Sequence, residues 1–349
     1  GEEGEDTPAA IETPKPRGVV KVFGVDIRII VLCLLVVQNA CQMLSMRYTR
    51  VGAGALATPY LSSTAVVLSE LLKVAACFAI LAYTHRGKTF SMVYDQVLVN
   101  WQDTLKVSVP AFVYMLQNNL LYVATANLDA ATCQITYQLK ILTTALFTVT
   151  MLGRSISMQK WAALMVLVVG IALVQLPSIA AKTGAAAAGN PVLGLSAVVA
   201  ACFMSGFAGI WFEKILKSSP TSVWVRNIQL GSMGAILGLI ASLWKDGAAI
   251  QAGGFLQGYT PLVYSVVAQV GMGGLIVALV VKYADNILKG FATSLSIITS
   301  GILSFYFIPA LKFSPTPTWF IGTSLVLAAT FLYSLPDKPK PAPTSTDAK

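Results

Sequence analysis

The chain has 349 residues, of which 56% are hydrophobic and only 11% are charged. Soluble domains carry about 25% charged residues, so this chain lacks the charge needed to cover a globule with a solvated surface. The composition excludes most soluble enzymes and secreted disulfide scaffolds, and it favours a protein that spans a lipid bilayer. The net charge of +9 is spread along the chain, so we expect no nucleic-acid partner.

The apolar segments predict an all-α membrane protein with ten transmembrane helices. A spanning helix needs about 20 largely apolar residues, and short polar stretches separate ten such segments. In chain order the predicted spans are 25–46, 58–83, 105–126, 130–151, 158–176, 192–212, 222–244, 259–281, 287–309 and 317–335.

An even number of spans places both chain termini on one side of the membrane. Most Lys and Arg residues of the loops lie on that side, so the positive-inside rule predicts cytosolic termini. We expect the chain to divide into a disordered cytosolic tail, a first five-helix repeat, a lumenal linker, a second five-helix repeat and a cytosolic tail. These regions are 1–24, 25–176, 177–191, 192–335 and 336–349.

The fourth and ninth predicted spans share a short sequence pattern. Residues 139–146 (LKILTTAL) align with residues 288–295 (LKGFATSL), which places Lys140 opposite Lys289. Two repeats of five helices must run in opposite directions through the membrane, because each contains an odd number of spans. The alignment therefore predicts two inverted five-helix repeats with these lysines in related positions.

Lysine within a span costs about 2.5–3.5 kcal/mol on insertion scales, so it normally marks a substrate path or has a partner. Lys140 lies well inside its span and fits snorkelling to the headgroups poorly, whereas Lys289 begins its span and could also snorkel. For Lys106 and Arg226, close to span ends, we expect snorkelling.

Glu70 and Lys73 lie three residues apart on one helix face, which fits either a structural ion pair or a substrate-binding role. Glu70 is the only acidic residue predicted to lie well inside the membrane. The interior then has surplus positive charge, which suits an anionic solute rather than a cation.

Polar side chains in other spans can complete a binding pocket. Tyr114, Gln117 and Asn118 share one face of the third span, Tyr137 lies one turn before the lysine of span four, and Asn227 lies in span seven. Amides could contact a base edge, tyrosines could donate hydrogen bonds to phosphate and lysines could neutralise a diphosphate. Interhelical hydrogen bonding remains the alternative for any single amide.

Small residues in the second half indicate close helix packing, and they would also allow a flat ligand to approach the backbone. These small residues include Ser205, Gly206, Gly273 and Gly274.

Five long stretches of the sequence are distinctive: residues 59–73, 114–147, 205–217, 223–231 and 282–297. They resemble the nucleotide-sugar transporters of the Golgi, in the drug/metabolite transporter superfamily. Within the family they look most like the UDP-N-acetylglucosamine and UDP-galactose transporters, and next like the CMP-sialic acid transporter. The resemblance implies the drug/metabolite transporter fold, a location in the Golgi membrane, and exchange of a nucleotide sugar for the matching nucleoside monophosphate by alternating access, without a cofactor or metal.

The resemblance also implies roles for individual residues. Lys140 and Lys289 would contact phosphate, and a second set would surround the nucleoside and ribose: Tyr114, Gln117, Asn118 and Asn227. A third set would complete the cavity: Tyr137, Lys73, Ser205, Gly206, Gly273 and Gly274. Cys133 stands where relatives commonly have an aromatic residue, and Gly231 matches the UDP-sugar branch, which favours UMP over CMP as the exchanged nucleotide.

The sequence leaves other functions possible. CMP-sialic acid/CMP exchange is the alternative within the family. A membrane enzyme acting on a nucleotide sugar would need a metal or an acid/base group, yet no His or paired acid accompanies Asp95, Asp103 or Asp285. Export of apolar drugs fits poorly with buried lysines. Exposed small residues would permit a homodimer in the bilayer.

Overall fold

The architecture is known from a computed structural model, and apart from a two-strand β-hairpin the regular structure of the described residues is helical. The described residues are 21–22, 24–51, 60–85, 87–128, 130–180, 190–307 and 315–336. A short hairpin, β1 (Lys21–Val22) and β2 (Val25–Asp26), precedes the helices. The helices are α1 (Ile27–Val51), α2 (Ser62–His85), α3 (Thr89–Tyr94), α4 (Trp101–Asn127), α5 (Ala130–Tyr137), α6 (Lys140–Leu152), α7 (Met158–Ala180), α8 (Pro191–Ser218), α9 (Val223–Gly253), α10 (Pro261–Tyr283), α11 (Asn286–Phe307) and α12 (Pro317–Ser334).

The chain is a multi-pass membrane protein. Eight helical segments among the described residues are long and apolar enough to cross a membrane, with α5 and α6 together forming one of them. The helices α4 and α12 occupy the two other predicted spans but are not among these eight. The all-helical membrane class is thereby confirmed, and the count of ten spans rests on α4 and α12.

Local sequence explains where several helices begin. Four helices follow a residue whose side-chain oxygen accepts a backbone N–H of the first turn, and three of these have proline at their first position, where its missing N–H costs nothing. The capping residues are Asn190, Ser222, Thr260 and Thr316. Helix α6 ends at Gly153, whose φ of +65° is easily adopted only by glycine.

Helix packing divides much of the bundle into two groups. Helices α4, α5 and α6 pack on α8, and we call these four the α8 group. Helices α10 and α11 pack on α1, and we call these three the α1 group. The pairs α2–α9 and α7–α12 complete the bundle.

Glycines allow close approaches between some of these helices. At Gly322, a Cβ atom would lie 2.6 Å from the backbone nitrogen of Val174, so α12 can contact α7 only with glycine there. Around this contact Leu164, Leu167 and Val326 are fully buried in the largest apolar cluster, which joins α6, α7, α11 and α12.

The chain ends lie at one end of the bundle, which we call the terminal end. Gln159, at the start of α7, donates to the carbonyl of Leu332 near the end of α12. Ile27, at the start of α1, packs with the cluster that contains Ala284, between α10 and α11. The loops between α6 and α7, α8 and α9, and α10 and α11 meet at the same end.

The helices differ from the predicted spans in two respects. The predicted span 130–151 is divided at Gln138–Leu139, where the backbone makes tighter i→i−3 hydrogen bonds before α6 begins. Helix α8 continues beyond the predicted span to Ser218, which brings Glu213 inside it. Residues 1–20 and 23 of the predicted first tail, 181–189 of the linker and 337–349 of the last tail lie outside the described residues.

Candidate functional site

The division of the fourth span places Lys140 at the first residue of α6. Its ammonium group lies 4.2 Å from the centre of the Tyr137 ring, in a cation–π contact with the last residue of α5. The Tyr137 hydroxyl accepts a 2.6 Å hydrogen bond from Gln117 Nε2 of α4. Three predicted site residues, one each from α4, α5 and α6, are therefore linked by direct contacts.

Two further predicted residues border this contact. The Ser205 side chain of α8 and Tyr114 of α4 are both close enough to Tyr137 for an electrostatic interaction with its hydroxyl. We call Tyr114, Gln117, Tyr137, Lys140 and Ser205 the central cluster. It combines aromatic rings, an amide and a cation, which are the groups that bind a base, a ribose and a phosphate.

Lys289 approaches the central cluster from the other helix group. It lies in the first turn of α11, and its charge interacts with that of Lys140. Neither Lys140 nor Lys289 forms an ion pair with a carboxylate among the described residues. Two cations held near each other, with no ion-pair contact to a carboxylate among the described residues, make this region suited to an anionic ligand.

A second cluster lies on α2, where Lys73 and Glu70 form a 2.5 Å ion pair. Lys73 is only 5% exposed. Glycines leave room for the pair: a Cβ atom at Gly274 of α10 would lie 3.0 Å from Lys73 Cδ, and one at Gly231 of α9 would lie 3.1 Å from Lys73 Cε. The predicted i,i+3 pairing is confirmed, and its part in substrate binding stays a prediction.

The predicted glycines Gly206 and Gly273 serve helix packing. A Cβ atom at Gly206 would lie 2.7 Å from Thr143 Oγ1 of α6, and one at Gly273 would lie 2.7 Å from Gln38 Nε2 of α1. Thr143 also donates to the Cys202 carbonyl of α8, at 2.7 Å. These contacts support the packing interpretation, and a direct role in ligand binding stays untested.

The two predicted asparagines occupy different environments. Asn227 is buried and donates to the Val223 carbonyl on its own helix at 2.8 Å, whereas Asn118 is exposed on α4. Cys133, where an aromatic residue is expected from the family resemblance, is buried in an apolar cluster that includes Leu120 and Tyr137. Neither asparagine hydrogen bonds to the central cluster.

Arg226 does not snorkel, contrary to the prediction. It is 1% exposed and forms an ion pair with Asp103 of α4, and it also donates to Gln229 Oε1 at 2.9 Å. The amide of Gln229 in turn donates to the Gln96 carbonyl and to Thr104. The partner carboxylate lies 123 residues away in the chain, so no local pattern indicated it.

Sequence reasoning also missed Glu213. It is 1% exposed and lies within the candidate span Pro191–Ser218, so Glu70 is not the only acidic residue within a span. Its Oε1 atom lies 2.8 Å from Lys217 Nζ and 3.0 Å from an Arg154 nitrogen, and its Oε2 accepts the backbone N–H of Asn286 at 2.9 Å. The i,i+4 spacing of Glu213 and Lys217 was a local signal for this cluster.

Comparison with known proteins identifies the family. The nucleotide-sugar transporter family matches residues 24–334, nearly the whole described chain. The chain belongs to the nucleotide-sugar transporter family. The UDP-N-acetylglucosamine transporter of Mus musculus is 48% identical over 324 residues, covering 91% of this chain and 98% of the relative. The UDP-galactose translocator of Homo sapiens is 50% identical over 313 residues, covering 89% and 78%.

A solved crystal structure supports the fold independently of close sequence similarity. It is 14% identical to this nucleotide-sugar transporter family member, with a TM-score of 0.63, and the match covers 88% of this chain and 97% of that one. At this identity the likeness concerns the fold alone.

Proposed function

We propose that the protein carries a uridine diphosphate sugar, UDP-N-acetylglucosamine or UDP-galactose, into the Golgi lumen in exchange for UMP. The observation that carries the proposal is that Lys289 lies near Lys140 of the central cluster and that, among the described residues, neither lysine forms an ion pair with a carboxylate. Transporters that are about half identical along nearly the whole chain, and whose names specify these two sugars, support the choice of substrate.

The chemistry of the ligand fits these residues. A diphosphate sugar carries about two negative charges, which cannot enter hydrocarbon without compensation. Lys140 and Lys289 supply two positive charges from two different helix groups. The Tyr137 hydroxyl and the Gln117 amide supply hydrogen bonds beside them. No step in this proposal breaks a covalent bond, so the protein acts as a carrier and not as an enzyme.

We propose ten spans in two inverted halves, with α1, α2, α4, α5–α6 and α7 related to α8, α9, α10, α11 and α12 in that order. Helix packing supports this arrangement, because exchanging the halves converts each main contact into another one. The contact α4–α8 becomes α10–α1, α6–α8 becomes α11–α1, and α4–α9 becomes α10–α2, while α2–α9 and α7–α12 become themselves. The exchange also relates Lys140 to Lys289, and each of these lysines lies in the first turn of its helix.

Such a repeat suits alternating access. A ligand at the interface of two related halves can be reached from either side when the halves rock against each other. UMP retains the base, the ribose and one phosphate, so it can make most of the contacts of the UDP sugar and return the carrier. We expect the empty carrier to change sides slowly, since its two cations would then lack counter-ions.

Gly231 supports uridine over cytidine within this family. A Cβ atom there would already lie 2.9 Å from Val74 and 3.1 Å from Lys73, so an aromatic side chain would displace the Glu70–Lys73 pair. The tight contact accounts for glycine at this position. Exchange of CMP-sialic acid for CMP is therefore the second possibility, and experiments must distinguish it from exchange of a UDP sugar for UMP.

A thermal-shift panel on the detergent-solubilised protein tests the proposal. A ligand at about 100 times its Kd adds about 2.7 kcal/mol of stability. We expect UMP and UDP sugars to raise the melting temperature and AMP and GMP to leave it unchanged. Stabilisation by CMP alone would assign the cytidine branch, and no shift with any nucleotide would contradict the substrate class.

Exchange in proteoliposomes then tests the transport reaction. Vesicles loaded with UMP should take up labelled UDP-N-acetylglucosamine or UDP-galactose, and empty vesicles should not. Uptake that is independent of internal UMP would contradict exchange. Epitope tags at the two chain ends, probed in sealed Golgi vesicles, test the expected cytosolic position of both termini.

A further inference from the structure

Glu213 joins the two helix groups at the terminal end of the bundle. It lies on α8, yet its Oε2 accepts the first backbone N–H of α11, at Asn286, from the other group. Four residues further along α8, Lys217 donates to the Ala284 carbonyl just before α11, at 2.5 Å. Two hydrogen bonds therefore connect the α8 group to the start of the helix that carries Lys289.

The carboxylate is held in place from its own side. Arg154, in the loop after α6, and Lys217, one turn along α8, both form ion pairs with Glu213 Oε1. A buried carboxylate with two cations and a backbone donor has its charge compensated, which a buried ion requires. Gly209, one turn earlier on α8, provides the space, since a Cβ atom there would overlap the Asn286 side-chain amide.

This arrangement acts on Lys289 through α11. A negative charge at the start of a helix stabilises its first turn, because unpaired N–H groups point toward it. Asp285 Oδ1 also accepts the Leu288 N–H at 2.7 Å, so the first turn of α11 is fixed on two sides. Lys289 belongs to that turn, and its charge also interacts with that of Glu213.

We propose that Glu213 is a positioning residue, which fixes Lys289 for phosphate binding and holds the terminal end closed. The carrier opens toward this end only when Glu213 releases Asn286 and Lys217 releases Ala284, because these bonds join groups that must separate. The proposal rests on the exchange function argued above. It goes beyond it by naming the bonds that break.

Exchange kinetics of Glu213→Gln in proteoliposomes test the positioning role. Glutamine keeps an acceptor oxygen but loses both ion pairs, so α11 is held less firmly. We expect the KM for UMP to rise about tenfold, as for loss of a hydrogen bond to a charged group, with a smaller change in kcat. A purely structural role would reduce the amount of active protein and leave the KM unchanged.

Asp103→Asn is the matched control, since it removes an acid from a different ionic cluster at the terminal end. Asp103 pairs with Arg226 on α9 and makes no contact between the α8 and α1 groups. We expect its KM to stay within about twofold of the wild-type value, because neither phosphate lysine depends on that pair. Equal KM values for Glu213→Gln and Asp103→Asn would overturn the proposal.

A distance measurement tests opening without using transport. Spin labels at Arg28 of α1 and Lys214 of α8, both exposed, report the separation of the two groups at the terminal end. The exposed Cys33 and Cys41 are replaced by serine first. Glu213→Gln should shift the distance distribution to longer values, and an unchanged distribution would overturn the gating role.

A milder variant covers the case in which Glu213→Gln does not fold. Lys217 has a quarter of its side chain exposed, and Lys217→Met removes the bond to Ala284 while Glu213 keeps Arg154. It should also lengthen the measured distance, and a wild-type distribution would count against the proposal. If wild-type protein exchanged no nucleotide, the proposed function would fail, and the spin-label comparison would still decide the role of Glu213.

Discussion

Among the described residues, Glu213 at the terminal end of the bundle forms ion pairs with opposite charges, whereas Lys140 and Lys289, near the central cluster, form none. At the terminal end Glu213 meets Arg154 and Lys217, with separations of 3.0 and 2.8 Å. At the centre Lys140 and Lys289 meet no carboxylate within ion-pair distance among the described residues. A protein can bury a paired charge permanently, whereas an unpaired one needs a ligand to complete it. The difference separates charges that hold the fold from charges that we propose bind phosphate.

Removing the central lysines should give the largest effect. We expect Lys140→Ala and Lys289→Ala each to lower exchange at least about tenfold, because each removes a charge-assisted hydrogen bond to phosphate worth about 1.5–3 kcal/mol. Their melting temperatures should stay the same or rise, since an uncompensated cation is lost. Exposed Lys106 on α4 provides the control, and Lys106→Ala should exchange normally. Near-normal exchange in both central variants would show that the two lysines do not bind phosphate.

Breaking a pair at the terminal end should affect stability instead. Arg226→Met leaves Asp103 without its cation, and because the Asp103 side chain is 26% exposed we expect a loss of about 1–3 kcal/mol, less than for a fully buried pair. Thermal melting in detergent measures the loss. Adding Asp103→Asn should cost less than the sum of the single changes, since both remove one interaction. A strictly additive double variant would show that the pair contributes nothing.

Removing the Tyr137 hydroxyl should have an intermediate effect on nucleotide affinity. Tyr137→Phe removes the 2.6 Å bond from Gln117 but keeps the ring under Lys140. We expect UMP affinity, measured by calorimetry, to fall several-fold, about 1 kcal/mol for one hydrogen bond. Tyr137→Leu removes the ring too and should weaken binding further. Equal affinities for the two variants would mean that the cation–π contact contributes nothing to UMP binding.

The smallest effect concerns Asp285, between α10 and α11. Burial raises the pKa of its carboxyl, and the nearby Glu213 charge adds to the increase, against the bond from Leu288. Since the folded pKa lies above the unfolded one, this group's contribution to stability falls as pH rises through the folded pKa. Asp285→Asn keeps the cap without the charge, so its melting temperature should fall less than that of the wild type between acidic and neutral pH. Parallel melting curves would contradict this.

Much of the fold could be predicted from the sequence. Hydropathy alone located eight helical segments long and apolar enough to cross a membrane, because each backbone in a bilayer must satisfy its own hydrogen bonds and therefore forms a helix. Lys140, Tyr137 and Gln117 could be named because a polar residue in a span is costly and its helix face follows from spacing. The Glu70–Lys73 pair could be predicted for the same reason.

Long-range partners could not be predicted. Arg226 looked like a snorkelling residue because its carboxylate, Asp103, comes from a distant helix. Glu213 was placed outside its span because an acid normally ends an apolar segment, but Arg154 from the loop after α6 and Lys217 from the same helix neutralise it. The break at Gln138–Leu139, which puts Lys140 at the start of α6, carries no proline or glycine as a signal.

The sequence by itself determined that this protein lies in a lipid bilayer, that it is helical, and which charged residues cost free energy within a span. These properties follow from transfer free energies summed along one chain. Only the tertiary structure decided which of those charges are compensated. Compensation depends on distances of a few ångströms between helices that are far apart in sequence, and packing of α8 against α4, α6 and the start of α11 sets those distances.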